Sequence, residues 1–317
     1  MKLLVSIVNY CDPEFYSTVK SLWQTAKNKN SIYFSLVSED TQVYDFSFIP
    51  ESQIIYRHYD TSIYRGGLCW ARNLATQVDF DYDFFIQFDS HTYGTYGWDI
   101  KGLSAYEDMK KKSDKFIIAY APANYEILED GSVDFNIPNT ISMCGDYYTG
   151  LIPGFKFPGY RTLQHKESVR SFWATCCYLL APKAWVDEVG ISGEESFNTE
   201  EICLSIRTYG KGWEIYSIGT RDVFHHSSHK QKDGSVTRVN LRPWADDRKE
   251  DYWSHVEKST DRLSLLMSGQ LDVDKKKVEE FFVHTGISKD YLNFIPNYSS
   301  HTIVPNRALG MPPRQDK

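Results

Sequence analysis

No stretch of this chain reaches 18 consecutive apolar residues, the length that marks a bilayer-crossing helix, so no membrane span is expected. The apolar opening from Met1 to Val8 is too short for a secretory leader and runs into polar Asn9, so it reads as a first buried strand. Two phosphate-binding signatures are missing as well. There is no G-x-x-x-x-G-K-S/T and no G-x-G-x-x-G after that strand, which leaves P-loop hydrolysis and an ordinary dinucleotide fold without support. Cysteine is sparse. The six cysteines form no C-x-x-C pair, and adjacent Cys176 and Cys177 are poor partners for each other, so a reducing, cytoplasmic setting is expected. Positive charge is short too: a net charge of −7 argues against a surface that tracks a phosphate backbone. Internal repeats and low-complexity tracts are absent.

What the chain does have in quantity is aromatic side chains, 15% of the total with 22 Tyr and 8 Trp, a composition suited to gripping flat sugar or base rings. At 317 residues it can build one large α/β domain with an appendage. The apolar pattern predicts a strand over 2–9, then a helix opened by Asp12-Pro13 with Phe15, Val19, Leu22, Trp23 and Ala26 on one face. Strands follow over 32–37 and 53–59, a helix over 68–78, and an almost unbroken apolar strand over 84–88. This β-α-β order implies a mainly parallel, doubly wound sheet flanked by helices. Further strands are expected over 116–121, 172–180, 215–217 and 221–224, with helices over 182–189 and from Asn198 to a stop at Gly210. The Gly-, Pro-, Tyr- and Asn-rich segment 123–170 has weak periodicity, as binding surfaces often do. The division expected is a catalytic domain over 1–235 and a C-terminal extension over 236–317, with helices over 246–267 and 274–284 and a Pro-containing tail over 304–317.

Four clusters can carry chemistry. The strand over 84–88 ends in Asp89-Ser90-His91, a carboxylate and an imidazole two residues apart where open α/β sheets place their ligands. Oxygen plus nitrogen donors suit Mn²⁺ or a similar divalent ion better than Ca²⁺; the same triplet also reads as a turn-capping Asp beside a bystander His. Arg65-Gly66-Gly67-Leu68-Cys69-Trp70-Ala71-Arg72 puts two glycines before a helix and an arginine on either side, a combination that can hold a diphosphate or simply make a turn. Glu200-Glu201 lies in the first turn of a helix; Glu201 has the capping-box spacing from Asn198, while Glu200 is free to orient a hydroxyl. His225, His226 and His229 follow a short strand, reading either as a surface turn or as the source of a third metal ligand.

Taken in order, these blocks resemble the GlcNAc-transferase family typified by the Skp1 hydroxyproline N-acetylglucosaminyltransferases. Arg65–Arg72 is similar to its G-P-C-W-A-R block, Phe85–His91 to its F-L-Q-I-D-S-H block, and Gly97-Trp98-Asp99 to the W-D that follows. Phe197–Glu201 resembles F-x-G-E-E, Arg207 with Gly212-Trp213 the R-x4-G-Y/W continuation, and Val223-Phe224-His225 the V-W/F-H block. Lys277–Phe281 with Thr285-Gly286-Ile287 is similar to a late L-x-x-F…S/T-G-I/V signature, so the resemblance runs over about 3–292. Leu68 stands where the family has Pro, and Thr199 where it has Gly.

The resemblance implies a GT-A glycosyltransferase fold, a UDP-sugar donor (UDP-GlcNAc or another hexose), a divalent metal (Mn²⁺ or Mg²⁺) and retention of anomeric configuration. It implies metal ligation by Asp89, His91 and His225. Donor contacts are assigned to Asn9, Tyr10, Arg65, Gly67, Trp70, Arg72, Asp89 and Ser90, with Asn9 and Tyr10 facing the nucleoside and the two arginines the diphosphate. Catalytic roles are assigned to Glu200, Glu201 and Asp89, with Glu200 holding the sugar or the acceptor. The acceptor expected is a hydroxyl on a protein or glycan. Alternatives are a modified nucleobase in DNA, disfavoured by the acidic charge, and a non-catalytic sugar-nucleotide-binding module.

Overall fold

The computed structural model describes residues 1–127, 133–135, 142–145, 160–163, 168–196, 199–218, 222–226, 229–230, 236–237 and 249–285. Strand β1 (Leu3–Tyr10) opens the chain, and only its last residue is not fully buried, because both faces of the sheet are covered. Helix α1 (Phe15–Thr25) follows and buries Phe15, Thr18, Val19 and Leu22 against the sheet. Strands β2 (Ile32–Glu39) and β3 (Ile54–Tyr59) extend the sheet outward from β1. Helix α2 (Leu68–Thr76) then crosses back to β4 (Phe84–Asp89), which pairs parallel with β1 on its other side.

The short β5 (Thr92–Gly94) and helix α3 (Trp98–Met109) lead to β6 (Phe116–Ala119) and β7 (Ala123–Asn124). Later come β8 (Val169–Ser171), β9 (Tyr178–Pro182), α4 (Lys183–Glu188), α5 (Glu200–Gly210), β10 (Glu214–Ser217) and β11 (Val223–His225). The main sheet has eight strands in the order β8-β10-β6-β9-β4-β1-β2-β3. Six of them run parallel, as the β-α-β order predicts; β9 and β8 run against their neighbours. The strand expected over 172–180 is therefore split. Residues 172–177 are not strand, and the paired segment Tyr178–Pro182 inserts antiparallel between β4 and β6.

A second sheet matters more for chemistry. Strand β11 lies between β5 and β7, antiparallel to the first and parallel to the second, with His225 opposite Thr92 and Asn124. This pairing brings the end of β11 against the turn that leaves β4, across 136 residues of sequence.

The expected C-terminal helices are α6 (Lys249–Met267) and α7 (Lys275–Thr285). They pack on α5: Leu263, Leu266, Val278, Phe281 and Phe282 share a buried cluster with Ile202, Cys203 and Ile206 of that helix. The expectations for 304–317, for most of 123–170 and for residues 197 and 198 lie outside the described residues. Among the described residues no helix is long and apolar enough to cross a membrane, and Cys11, Cys69, Cys176, Cys177 and Cys203 are in no disulfide.

Candidate active site

Strand β4 delivers Asp89 at its carboxyl end, and the turn beyond it carries Ser90 and His91. One ligand atom from each of Asp89, His91 and His225 falls within a mutual 4.8 Å, so the three expected metal ligands converge. His225 Nε2 lies 3.0 Å from Asp89 Oδ2, and His91 Nε2 lies 4.0 Å from the same oxygen. The two imidazole rings meet edge to face at 4.4 Å. One hard oxygen and two borderline nitrogens form a donor set that fits Mn²⁺ or a related divalent ion.

Burial alone would push the Asp89 carboxyl up, but the His225 hydrogen bond and the Arg72 charge outweigh it and hold the group well below the usual range. Burial and the neighbouring His91 push His225 down. His91 moves up despite its burial, because Asp12 bonds its ring and Asp89 and Glu14 add negative charge.

Arg72 is buried, and its guanidinium spans two carboxylates: Nη2 donates to Asp89 Oδ1 at 2.7 Å and Nη1 donates to Glu200 Oε2. Both prongs of the fork assigned to a diphosphate are thus engaged by carboxylates within the protein. The other oxygen of Glu200, Oε1, is buried with no protein partner among the described residues, which leaves it open to a hydroxyl donor. Glu201 points elsewhere. Its carboxylate accepts the Trp173 indole N–H at 2.8 Å, and Thr199 is the N-cap of α5, so the helix begins one residue later than the capping box from Asn198 requires.

Several residues assigned to the donor have partners within the protein. The Gly66 and Gly67 amides, expected to face a diphosphate, donate to Glu39 Oε1 at 2.5 and 3.2 Å. Asn9 is buried and fully engaged: its amide donates to Ser38 and Asp40, and its carbonyl accepts the Asp12 N–H. It braces the end of β1. Tyr10 is half-buried at that same strand end. Arg65 Nε donates to the Thr61 carbonyl at 2.7 Å, and Trp70 packs edge-on against Tyr59 and Tyr64. Ser90 Oγ donates to Asp12 Oδ2 at 2.7 Å. Of the three histidines read as one cluster, His225 joins the site, His226 is fully buried against Glu14, and the side chain of His229 lies outside the described residues.

Residue-type reasoning missed Glu39, Glu14 and the second role of Asp12. The available signal was the pair of carboxylates in Asp12-Pro13-Glu14, placed in the first turn after a parallel strand, where ligand-facing loops cluster.

Three solved structures align with most of this chain at low sequence identity. A GalNAc-T7 structure with UDP, GalNAc and Mn²⁺ aligns at a TM-score of 0.49 and 14% identity over 90% of this chain and 55% of that one. The chain thus spans little more than half the length of that protein. Staphylococcus aureus TarS in complex with UDP aligns at 0.48 and 12% identity over 90% of this chain and 70% of that one. The TarS complex with UDP-GlcNAc gives 0.47 and 13%, covering 90% and 71%. A comparison with curated protein sequences found no significant match. The model of the GlcNAc glycosyltransferase family matches residues 38–291, most of the sequence, and the chain belongs to that family.

Proposed function

We propose that this protein is a metal-dependent, retaining glycosyltransferase that moves GlcNAc or a related hexose from a UDP-sugar to a hydroxyl acceptor. The observation that carries the reading is the convergence of Asp89, His91 and His225 within 4.8 Å at the carboxyl end of the sheet. Those three side chains would hold the cation, which when bound neutralises charge on the diphosphate as the nucleotide leaves.

The chain's own residues do the rest. In the transfer, the bond from the sugar's anomeric carbon to the diphosphate oxygen breaks and one to the acceptor oxygen forms. The hydroxyl proton leaves with the released nucleotide or to solvent. The His225 hydrogen bond and the Arg72 charge together keep Asp89 ionised, Arg72 pairing with Oδ1 so that Oδ2 faces the two histidines. Glu200, anchored by Arg72 through Oε2, offers Oε1 to a sugar or acceptor hydroxyl. GalNAc-T7 with UDP, GalNAc and Mn²⁺, and TarS with UDP-GlcNAc, make UDP-sugars the donors to try first.

The test is calorimetric titration of UDP-GlcNAc, UDP-glucose and UDP-galactose with and without Mn²⁺, on the native chain and on Asp89→Ala. Metal-dependent binding of one donor, lost in the variant, is the expected result and names the sugar. Binding of none overturns the UDP-sugar reading, and binding without any turnover on hydroxyl acceptors returns the non-catalytic module.

A further inference from the structure

Two of the three convergent donors sit on segments that are far apart in sequence, and a third segment touches both. His91 Nδ1 lies 2.8 Å from Asp12 Oδ2. The His91 carbonyl accepts the His226 N–H at 2.9 Å. His226 Nδ1 in turn bonds Glu14 Oε1, and the Glu14 N–H donates to Asp12 Oδ1 at 2.9 Å. The four residues close a hydrogen-bonded ring. One short turn between β1 and α1 thereby indexes the β4–β5 turn, which bears His91, against the end of β11, which bears His225.

We propose that Asp12 is a positioning residue that fixes the His91 ring with its proton on Nδ1 and its Nε2 lone pair turned toward Asp89 and His225. This inference deepens the metal-dependent reading given above and rests on it for its consequence. A carboxylate only accepts, so the 2.8 Å contact requires hydrogen on Nδ1 and leaves Nε2 as the coordinating atom. A carboxylate behind a ligand imidazole sets its tautomer and raises its basicity.

The Asp12 carboxylate is itself immobilised by Ser90 Oγ at 2.7 Å and by the Glu14 amide, and its backbone N–H is held by Asn9 at 2.8 Å. Thr18 of α1 holds the peptide on both sides of His91, donating to the Ser90 carbonyl at 2.6 Å and accepting from the Thr92 amide at 3.0 Å. Glu14 is the second support. Its Oε2 accepts the Tyr125 hydroxyl at 2.5 Å, so the carboxylate facing His226 is fixed from its far side as well.

The experiment uses the full chain carrying Asp12→Asn, with Glu14→Gln as a second variant that leaves the His91 contact in place. Nitrogen-15 correlation spectra of the imidazoles in alkaline buffer read the tautomer without any metal. The expected result is an Nδ1–H tautomer at His91 in the native chain, lost or mixed in Asp12→Asn and kept in Glu14→Gln. Titration of Mn²⁺ followed by electron paramagnetic resonance then gives a 10- to 100-fold weaker affinity in Asp12→Asn. An unchanged His91 tautomer in a folded Asp12→Asn overturns the proposal, as does an unchanged Mn²⁺ affinity. A native chain that binds no Mn²⁺ overturns the metal reading instead, and the imidazole spectra alone then decide whether Asp12 holds the ring.

Discussion

Arg72 and Asp89 are joined by a partly buried ion pair of 2.7 Å whose guanidinium also holds Glu200, so a single cation in helix α2 orients one carboxylate from β4 and one from α5. Removing it strands the buried Glu200 carboxylate and leaves half-buried Asp89 with its histidine contacts. Losing one partner of such a buried group costs about 3–5 kcal/mol, because an uncompensated charge is left behind. Arg72→Met is therefore expected to lower the denaturant midpoint sharply. Arg72→Lys recovers only part of the loss, since one ammonium cannot reproduce the planar fork that reaches both acids. Equal midpoints for Arg72→Lys and the native chain would show that the fork has no structural role.

Glu200 gives a separate handle on catalysis. Glu200→Gln keeps the volume and one acceptor oxygen but removes the charge that Arg72 neutralises. With the fold retained by circular dichroism, turnover is expected to fall by roughly 10²-fold or more, the scale for losing a positioned acid or base. Glu201→Gln is the matched control, because its carboxylate serves the Trp173 indole. If the two variants lose activity equally, the orphaned oxygen of Glu200 is not the working atom.

Much of this was legible before the fold was known, and the limits have physical causes. The parallel half of the sheet announces itself because βαβ units alternate apolar strands with amphipathic helices, as β1, α1 and β2 do. The strand expected over 172–180 appears as β9, but its later start and antiparallel direction do not announce themselves, since all but its last residue are buried and its alternation vanishes into one apolar run. Asp89, His91 and His225 could be named from local spacing and block order. The partners of Arg72, Asn9 and the Gly66-Gly67 amides could not. Each is set by a contact across the fold, Glu200 being 128 residues from Arg72 and Glu39 being 27 from Gly66, and nothing local encodes such a pairing.

Gly66 shows how tightly that loop is packed. A Cβ there would fall 2.0 Å from carbons of the Trp70 indole, which is itself wedged against Tyr59 at 4.9 Å and Tyr64 at 5.1 Å. Gly66→Ala must displace the ring, an overpacking cost of about 1–3 kcal/mol. The expected signature is a lower melting temperature together with a shift in tryptophan emission. An unshifted spectrum at unchanged stability would mean that the loop adapts without moving Trp70.

The pH dependence of stability has a defined source at the seam between α5 and α6. Glu195 is buried beside Arg207, with a closest approach of 3.2 Å, and Arg262 stands 4.0 Å away. Burial pushes its carboxyl up to about 7, with Arg207 and Arg262 opposing and Glu200 reinforcing the shift. The folded protein therefore holds a proton that the unfolded chain, near the ordinary 4.5, has released. The resulting stability is fully present below pH 4.5 and is lost as pH rises through about 7. At about 1.4 kcal/mol per unit, the contribution over that window is on the order of 3 kcal/mol. Glu195→Gln is uncharged at every pH, so it should flatten the decline between pH 5 and 7 and be more stable than the native chain at pH 8. Denaturant midpoints at pH 5, 6, 7 and 8 for both proteins isolate the term, because every other titrating group is common to the pair. Parallel curves would locate the pH dependence elsewhere and leave Glu195 ionised against Arg207 throughout.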